Sequence, residues 1–270
     1  MPPETDARIE RARSASGDEL KTLVHEAGDQ VLLAPLENPR LEEPHLILML
    51  ERLDLSATVL SAVAGEGKWM SSEGVRLRLA RHPRTPKRFA LAAVRQLFLF
   101  DLVRLSLLPS APADIRRVAE EVILTRVPHL AVGEKLTLAR RGPSRVAGAI
   151  LAEGHPQAIK LALANAFLTE SQVLKVLAKA GVPERVVGAI AQHSKWSCHY
   201  NVRIALVRNA QTPAASVLVF LPQLTLGDLK QLARLEGLAP HLKKHMREEL
   251  LRRGNERDTH ERGRPVREVD

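Results

Sequence analysis

Residues 68–86 read KWMSSEGVRLRLARHPRTP, and residues 195–213 read KWSCHYNVRIALVRNAQTP. The two segments align without a gap at an offset of 127 residues. The same offset pairs Asp101-Leu102 with Asp228-Leu229, and it carries residues 68–124 onto 195–251 with about a third of positions identical. A fixed offset sustained over this length marks a repeat architecture, in which each unit buries its apolar face against a neighbouring copy. An offset of 127 corresponds to three units of about 42 residues.

The intervening units can be found from their first apolar residue: Val31, Val75, Ile115, Ile159 and Val202. About ten residues later each unit carries a fixed position, Leu41, Thr85, Thr125, Thr169 or Thr212, at spacings of 44, 40, 44 and 43. The first stretch of a unit reads as a helix. Ile115, Val118, Ala119, Val122 and Ile123 fall on one face of a 3.6-residue period. Asn38-Pro39 and His82-Pro83 then end it, because proline disfavours helical geometry in the residue before it; Asn209 holds the same place without a proline. Thr85-Pro86 and Thr212-Pro213 are expected to be N-cap followed by first helical residue, and Thr169 with Gln172 is expected to form a capping box. A third start is expected at Asp54-Leu55-Ser56, Asp101, Ser144, Glu184 and Asp228. Each unit therefore holds three short helices, none of which would persist alone. Pro35, inside the first helix of its unit, is expected to distort it, and Thr125-Arg126-Val127-Pro128 has its proline displaced by two positions.

This pattern resembles the armadillo/HEAT class of α-solenoids. The turn His82-Pro83-Arg84-Thr85-Pro86, with Asn209-Ala210-Gln211-Thr212-Pro213, is similar to that of bacterial leucine-rich repeat variant proteins. The resemblance implies an all-α, right-handed α-solenoid of about five three-helix repeats of 40–44 residues. It covers residues 18–253, with 1–17 expected to be a disordered N-terminal segment and 254–270 a disordered charged tail. As to function, it implies a binding scaffold without naming the partner.

Composition narrows the classes. Aromatic residues are scarce at 3 %, while Leu, Ala and Val are abundant, which suits closely packed short helices. The single cysteine, Cys198, excludes an intrachain disulfide and points to a reducing compartment. The first 18 residues lack the apolar stretch of a secretory signal, and the apolar runs are too short to span a bilayer. A cytoplasmic monomer that does not enter membranes is expected.

The net charge of +9 is concentrated: residues 76–145 hold fifteen Lys and Arg against five Asp and Glu. Arg76, Arg78, Arg81, Arg84, Lys87 and Arg88 cluster first, followed by Arg116, Arg117, Arg140 and Arg141. These ten are the candidate contacts for an anionic partner. Arg76, Arg116, Lys160 and Arg203 are equivalent between units and would stack as a cationic ladder; Arg76, Arg81 and Arg116 are expected to be at least partly exposed. The bland alternative is structural: these arginines pair with acids of adjacent helices, and Arg81 and Arg208 cover helix ends with their stems. Trp69 and Trp196 suit packing better than base stacking. Neither His241 with His245 nor His193 with Cys198 and His199 has metal-ligand spacing, so no metal or other cofactor is expected. No phosphate-cradling loop or nucleophile elbow occurs in the sequence. The expectation is a non-catalytic scaffold presenting a basic surface to an acidic protein. A nucleic-acid-binding HEAT-like protein is the alternative, and a DNA glycosylase-like repair enzyme is a third reading that rests on fold and charge alone.

Overall fold

The computed structural model describes residues 3–236, 238 and 240–262. Among these, every regular element is helical and none is a strand, so the chain is all-α. It divides into two compact units, Met1–His129 and Leu130–Asp270.

The first unit runs through α1 (Pro3–Ser14), α2 (Gly17–Leu23), α3 (Asp29–Leu33), α4 (Glu43–Leu50), α5 (Ala57–Gly65), α6 (Gly67–Met70), α7 (Glu73–Arg81), α8 (Lys87–Gln96), α9 (Leu99–Leu107) and α10 (Ala113–Arg126). The second runs through α11 (Val132–Arg141), α12 (Ser144–Glu153), α13 (Pro156–Leu163), α14 (Glu170–Ala178), α15 (Glu184–Gln192), α16 (Ser194–Ser197), α17 (Tyr200–Arg208), α18 (Ala214–Phe220), α19 (Leu226–Arg234) and α20 (Pro240–Arg262). At the offset of 127, α5, α6, α7 and α9 coincide with α15, α16, α17 and α19 residue for residue, and α1 and α11 alone start at inequivalent residues. The two units are thus duplicates over their full helix order, well beyond the segment in which sequence identity is visible. Their cores correspond as well. Val59, Leu60, Val63, Val75 and Leu79 are fully buried, and so are the equivalent Val186, Val187, Ile190, Val202 and Leu206.

One type of side-chain tie to an earlier helix end recurs at 44-residue spacing inside each unit, from the turns at Asn38, His82, Asn165 and Asn209 and from within helices at Arg126 and Arg253. Asn38 donates its side-chain amide to Ala12 O and Ala15 O (3.0 and 3.1 Å), while its Oδ1 accepts from the Arg40 amide at 2.9 Å. His82 bonds Arg52 O through Nε2 at 2.8 Å and accepts from the Arg84 amide through Nδ1 at 3.1 Å. Arg126 donates to Leu97 O and Arg95 O. In the second unit Asn165 reaches Ala139 O and Gly142 O, Asn209 reaches Leu177 O, and Arg253 reaches Leu224 O and Leu221 O. Each side chain satisfies carbonyl groups that would otherwise be orphaned where an earlier helix ends.

Several expected starts are shifted. Pro86 and Pro213 are themselves the N-cap residues of α8 and α18, with φ near −55° and ψ above 130°. Proline is pre-set for that extended geometry, and its carbonyl still accepts the first helical bond, from Ala90 at 3.2 Å and Val217 at 3.2 Å. Thr85 and Thr212 therefore sit one residue outside their helices and cap neither. The Thr212 hydroxyl turns back and donates to Leu206 O at 2.6 Å. Thr169 does cap α14 by position, but its side chain makes no capping bond and no box with Gln172. Thr125 lies inside α10, where its hydroxyl donates to Val122 O. Among the third-start residues, Ser56 is the N-cap of α5 and accepts from the Val59 amide at 3.3 Å. Asp101 and Asp228 lie one turn in, behind the N-caps Phe98 and Thr225. Ser144 and Glu184 follow the proline N-caps Pro143 and Pro183.

Pro35 has the anticipated effect. Helix α3 stops at Leu33 and continues as a 3₁₀ turn, Ala34–Glu37, whereas α13 runs unbroken with Ala162 at the equivalent place. The expectation of disorder at the N-terminus is corrected for the described residues: α1 is a helix whose Ala12 is fully buried. At the other end α20 continues to Arg262, and the rest of the expected disordered tail, 263–270, lies outside the described residues.

Candidate functional site

The ten candidate basic residues do not form one continuous free surface. Arg76 is 11 % exposed at its side chain. Its guanidinium donates to Met70 O at 2.8 Å and Ser71 O at 3.1 Å, and it pairs with Glu73. The equivalent Arg203 does the same with Ser197 O and Cys198 O. Both arginines close the end of the one-turn helix that carries the tryptophan (α6 or α16), which explains why this arginine recurs at the offset of 127. Arg76 is partly exposed, but its guanidinium is committed to these bonds and is not free for a partner.

Arg78 donates to Glu51 Oε1 at 2.9 Å and to Gly74 O, and Arg81 donates to the other oxygen of Glu51. Arg84 reaches Asp54 O at 2.9 Å. Lys87 lies 3.1 Å from Asp114, and its ammonium holds the Asp114 carboxyl below its ordinary value. Arg88 lies over the Phe89 ring at 4.6 Å, and Arg117 is within 4.0 Å of Glu121. Arg116 is half-buried, with a buried Nε that has no partner. Arg140 and Arg141, at the end of α11, are exposed and take part in no ion pair among the described residues.

Arg78 and Arg81 of the first cluster share Glu51 from far upstream, Arg76 pairs with nearby Glu73 and Lys87 with Asp114 downstream, so the cluster is not a free cationic surface once the chain folds. Residues 1–129 hold eighteen Lys and Arg and eighteen Asp and Glu. The whole surplus of +9 therefore belongs to residues 130–270. Residues 130–234 alone carry thirteen Lys and Arg against five Asp and Glu.

Trp69 and Trp196 are 5 % and 1 % exposed and pack inside their units. Trp196 Nε1 donates to Leu163 O at 2.9 Å. Lys68 and Lys195 lie over the rings at 4.3 and 4.2 Å, so each Lys-Trp pair is a cation–π contact at the edge of the core. His193 and His199 flank Trp196, with ring centroids 6.5 and 5.6 Å away. His193 is partly buried, which lowers its pKa, and nearby Lys195 acts in the same direction. His199 faces Glu170 at 3.2 Å, and His245 faces Glu248 at 3.1 Å. Among the described residues no three His, Cys, Asp or Glu are grouped so as to hold a metal ion. No helix among them is long and apolar enough to cross a membrane.

One concave feature was not singled out from the sequence. A groove of about 850 Å³ opens in the second unit between the C-terminal parts of α14 and α17 and the turns that follow them. Leu174, Leu177, Val182 and Ile204 line it, with Lys179 and Arg208 among its polar residues. The difference shows when the offset of 127 is carried back before residue 68. Glu51 becomes Ala178, Asp54 becomes Gly181 and Arg78 becomes Ala205, all at this groove.

No protein-family model matches the chain, and no curated protein or solved structure is significantly similar to it.

Proposed function

We propose that the chain is a non-catalytic helical-repeat scaffold of the α-solenoid kind, and that it binds an acidic protein partner through the surface of its second unit. The observation that carries this reading is the division of charge. The first unit balances its cations with its own acids, while residues 130–234 keep a large excess of Lys and Arg. An uncompensated positive surface attracts anionic partners and accelerates their capture. Protein is favoured over nucleic acid because both tryptophans are buried and so cannot serve as base-stacking platforms.

Arg140 and Arg141 supply the test, because both are exposed and unpaired with any described residue. Reversing both to Glu is expected to weaken binding of poly-L-glutamate at low salt without changing the helical circular dichroism. The reading fails if wild-type protein ignores poly-L-glutamate, or if a generic DNA duplex is held more tightly at every salt concentration.

A further inference from the structure

The duplication permits a comparison that a single domain does not. In the first unit, Glu51 at the end of α4 receives Arg78 and Arg81 from α7. Beside it, Asp54 receives Arg52 through two nitrogens at 3.0 and 2.7 Å. The fold here places two carboxylates, three residues apart, against cations of the same unit. In the second unit both carboxylates are gone: Ala178 stands where the first unit has Glu51, and Gly181 where it has Asp54. A cation is kept opposite each loss. Arg208 is the equivalent of Arg81, and Lys179 of Arg52.

These four positions all line the groove of about 850 Å³, and no acid lines it. Arg208 and Lys179 are exposed and pair with no described residue. The charge of Arg208 is felt weakly by Asp228, whose carboxyl is held below its ordinary value chiefly by Thr225 and then Tyr200. Of the amide side chains that line it, Asn209 is bonded to Leu177 O and Asn201 to Glu170. Ala205 replaces Arg78, which removes a third side chain from the space and leaves an apolar floor of Leu174, Leu177, Val182 and Ile204. The volume is at the upper end of ligand pockets, which hold roughly 300–1,000 Å³. That is far more room than one carboxylate needs, and enough for apolar side chains beside it.

We propose that this groove binds an acidic peptide segment of the partner, which supplies in trans the two carboxylates that the first unit supplies from Glu51 and Asp54, with apolar side chains between them on the groove floor. The proposal deepens the scaffold reading and rests on it. Charge-assisted hydrogen bonds to Arg208 would fix the segment's register, and Lys179 adds a second point charge.

The probe is a short fluorescein-labelled peptide with Glu and Asp three residues apart among leucines, measured by fluorescence anisotropy on the full chain. Saturable binding to the wild type is expected. Arg208→Ala and Lys179→Ala are each expected to weaken it about tenfold, the loss usual for a hydrogen bond to a charged group. Ala178→Glu restores the first unit's internal carboxylate and is expected to weaken binding at least as much, as is replacing the peptide's acids by Gln and Asn. All three substituted side chains are exposed, and an unchanged denaturation midpoint checks that folding is retained.

Absence of saturable binding to the wild type overturns the proposal, as does wild-type affinity retained in both Arg208→Ala and Ala178→Glu. A single-stranded DNA oligonucleotide that displaces the peptide and binds more tightly also overturns it. If reversal of Arg140 and Arg141 abolishes peptide binding while Ala178→Glu does not, the groove is wrong and the scaffold reading stands.

Discussion

Thr85 and Thr212 show how one residue type serves two equivalent places differently. Both are buried, at 8 % and 7 % exposure. The Thr212 hydroxyl donates to Leu206 O, whereas the Thr85 hydroxyl is buried with no partner. A buried hydrogen bond contributes about 1 kcal/mol, and a buried polar atom without one costs at least as much. Valine keeps the shape of threonine and removes the hydroxyl. Thr212→Val is therefore expected to lower the free energy of unfolding by about 1 kcal/mol, and Thr85→Val to raise it by about 1 kcal/mol. Urea denaturation of the two variants measures both, and shifts of the same sign would show that the two threonines are in the same environment after all. The arginines are read by the same accounting. Arg76 and Arg203 recur because each satisfies two carbonyl groups, so their repetition in the sequence reports a structural need and not a ladder of contacts.

At the scale of the element, residues 38, 82 and 126 and their copies at 165, 209 and 253 do one job with three residue types. The duplication is legible in the sequence from Lys68 onward and hidden before it, although Asn38 and its copy Asn165 are identical while His82 and Asn209 differ. Asparagine, histidine and arginine can all donate to a carbonyl, and Leu60 and Val187 fill similar space, so the letters change while the physics is conserved. The helix starts were legible to within a few residues. Which residue caps was not, because a proline N-cap and a threonine N-cap give the same Thr-Pro pair.

Histidine has a consequence that asparagine lacks. His82 accepts from the Arg84 amide through Nδ1, so protonation there would replace an acceptor with a donor. Its folded pKa lies below the ordinary 6.5, chiefly through burial, with Arg84 and Arg81 lowering it further against the Arg52 carbonyl and Asp54. When the folded value is depressed, the unfolded chain binds the proton first. The stabilisation is then complete above pH 6.5 and is lost as pH falls from there toward the folded value. His82→Asn, the residue found at the equivalent Asn209, is expected to keep the carbonyl bond and to reduce the loss of stability between pH 7 and pH 5. Some acid sensitivity remains, since His193 is shifted in the same direction by burial. Thermal melts across this range decide it; a variant as acid-sensitive as the wild type would place the responsible group elsewhere.

At the scale of the whole molecule, the two copies share a helix order and differ in charge. Counting charge along the sequence misplaced the basic surface, because Glu51, the acid that Arg78 and Arg81 share, lies about thirty residues earlier, outside the window in which the arginines cluster. Folding couples positions at that separation here because α7 packs on α4 within the first unit. The surplus that survives pairing belongs to residues 130–270, where the duplicated positions have lost acids and kept cations. Each compact unit contains its own buried core, so the two are expected to fold when expressed separately as residues 1–129 and 130–270. The first fragment has no net charge and is expected to pass through a poly-L-glutamate column at low salt, while the second is retained and elutes as salt screens its cations. Circular dichroism of each fragment establishes that it is folded before the column is run. Retention of the folded first fragment, or passage of the folded second, would separate binding from the charge division and remove the observation on which the proposed function stands.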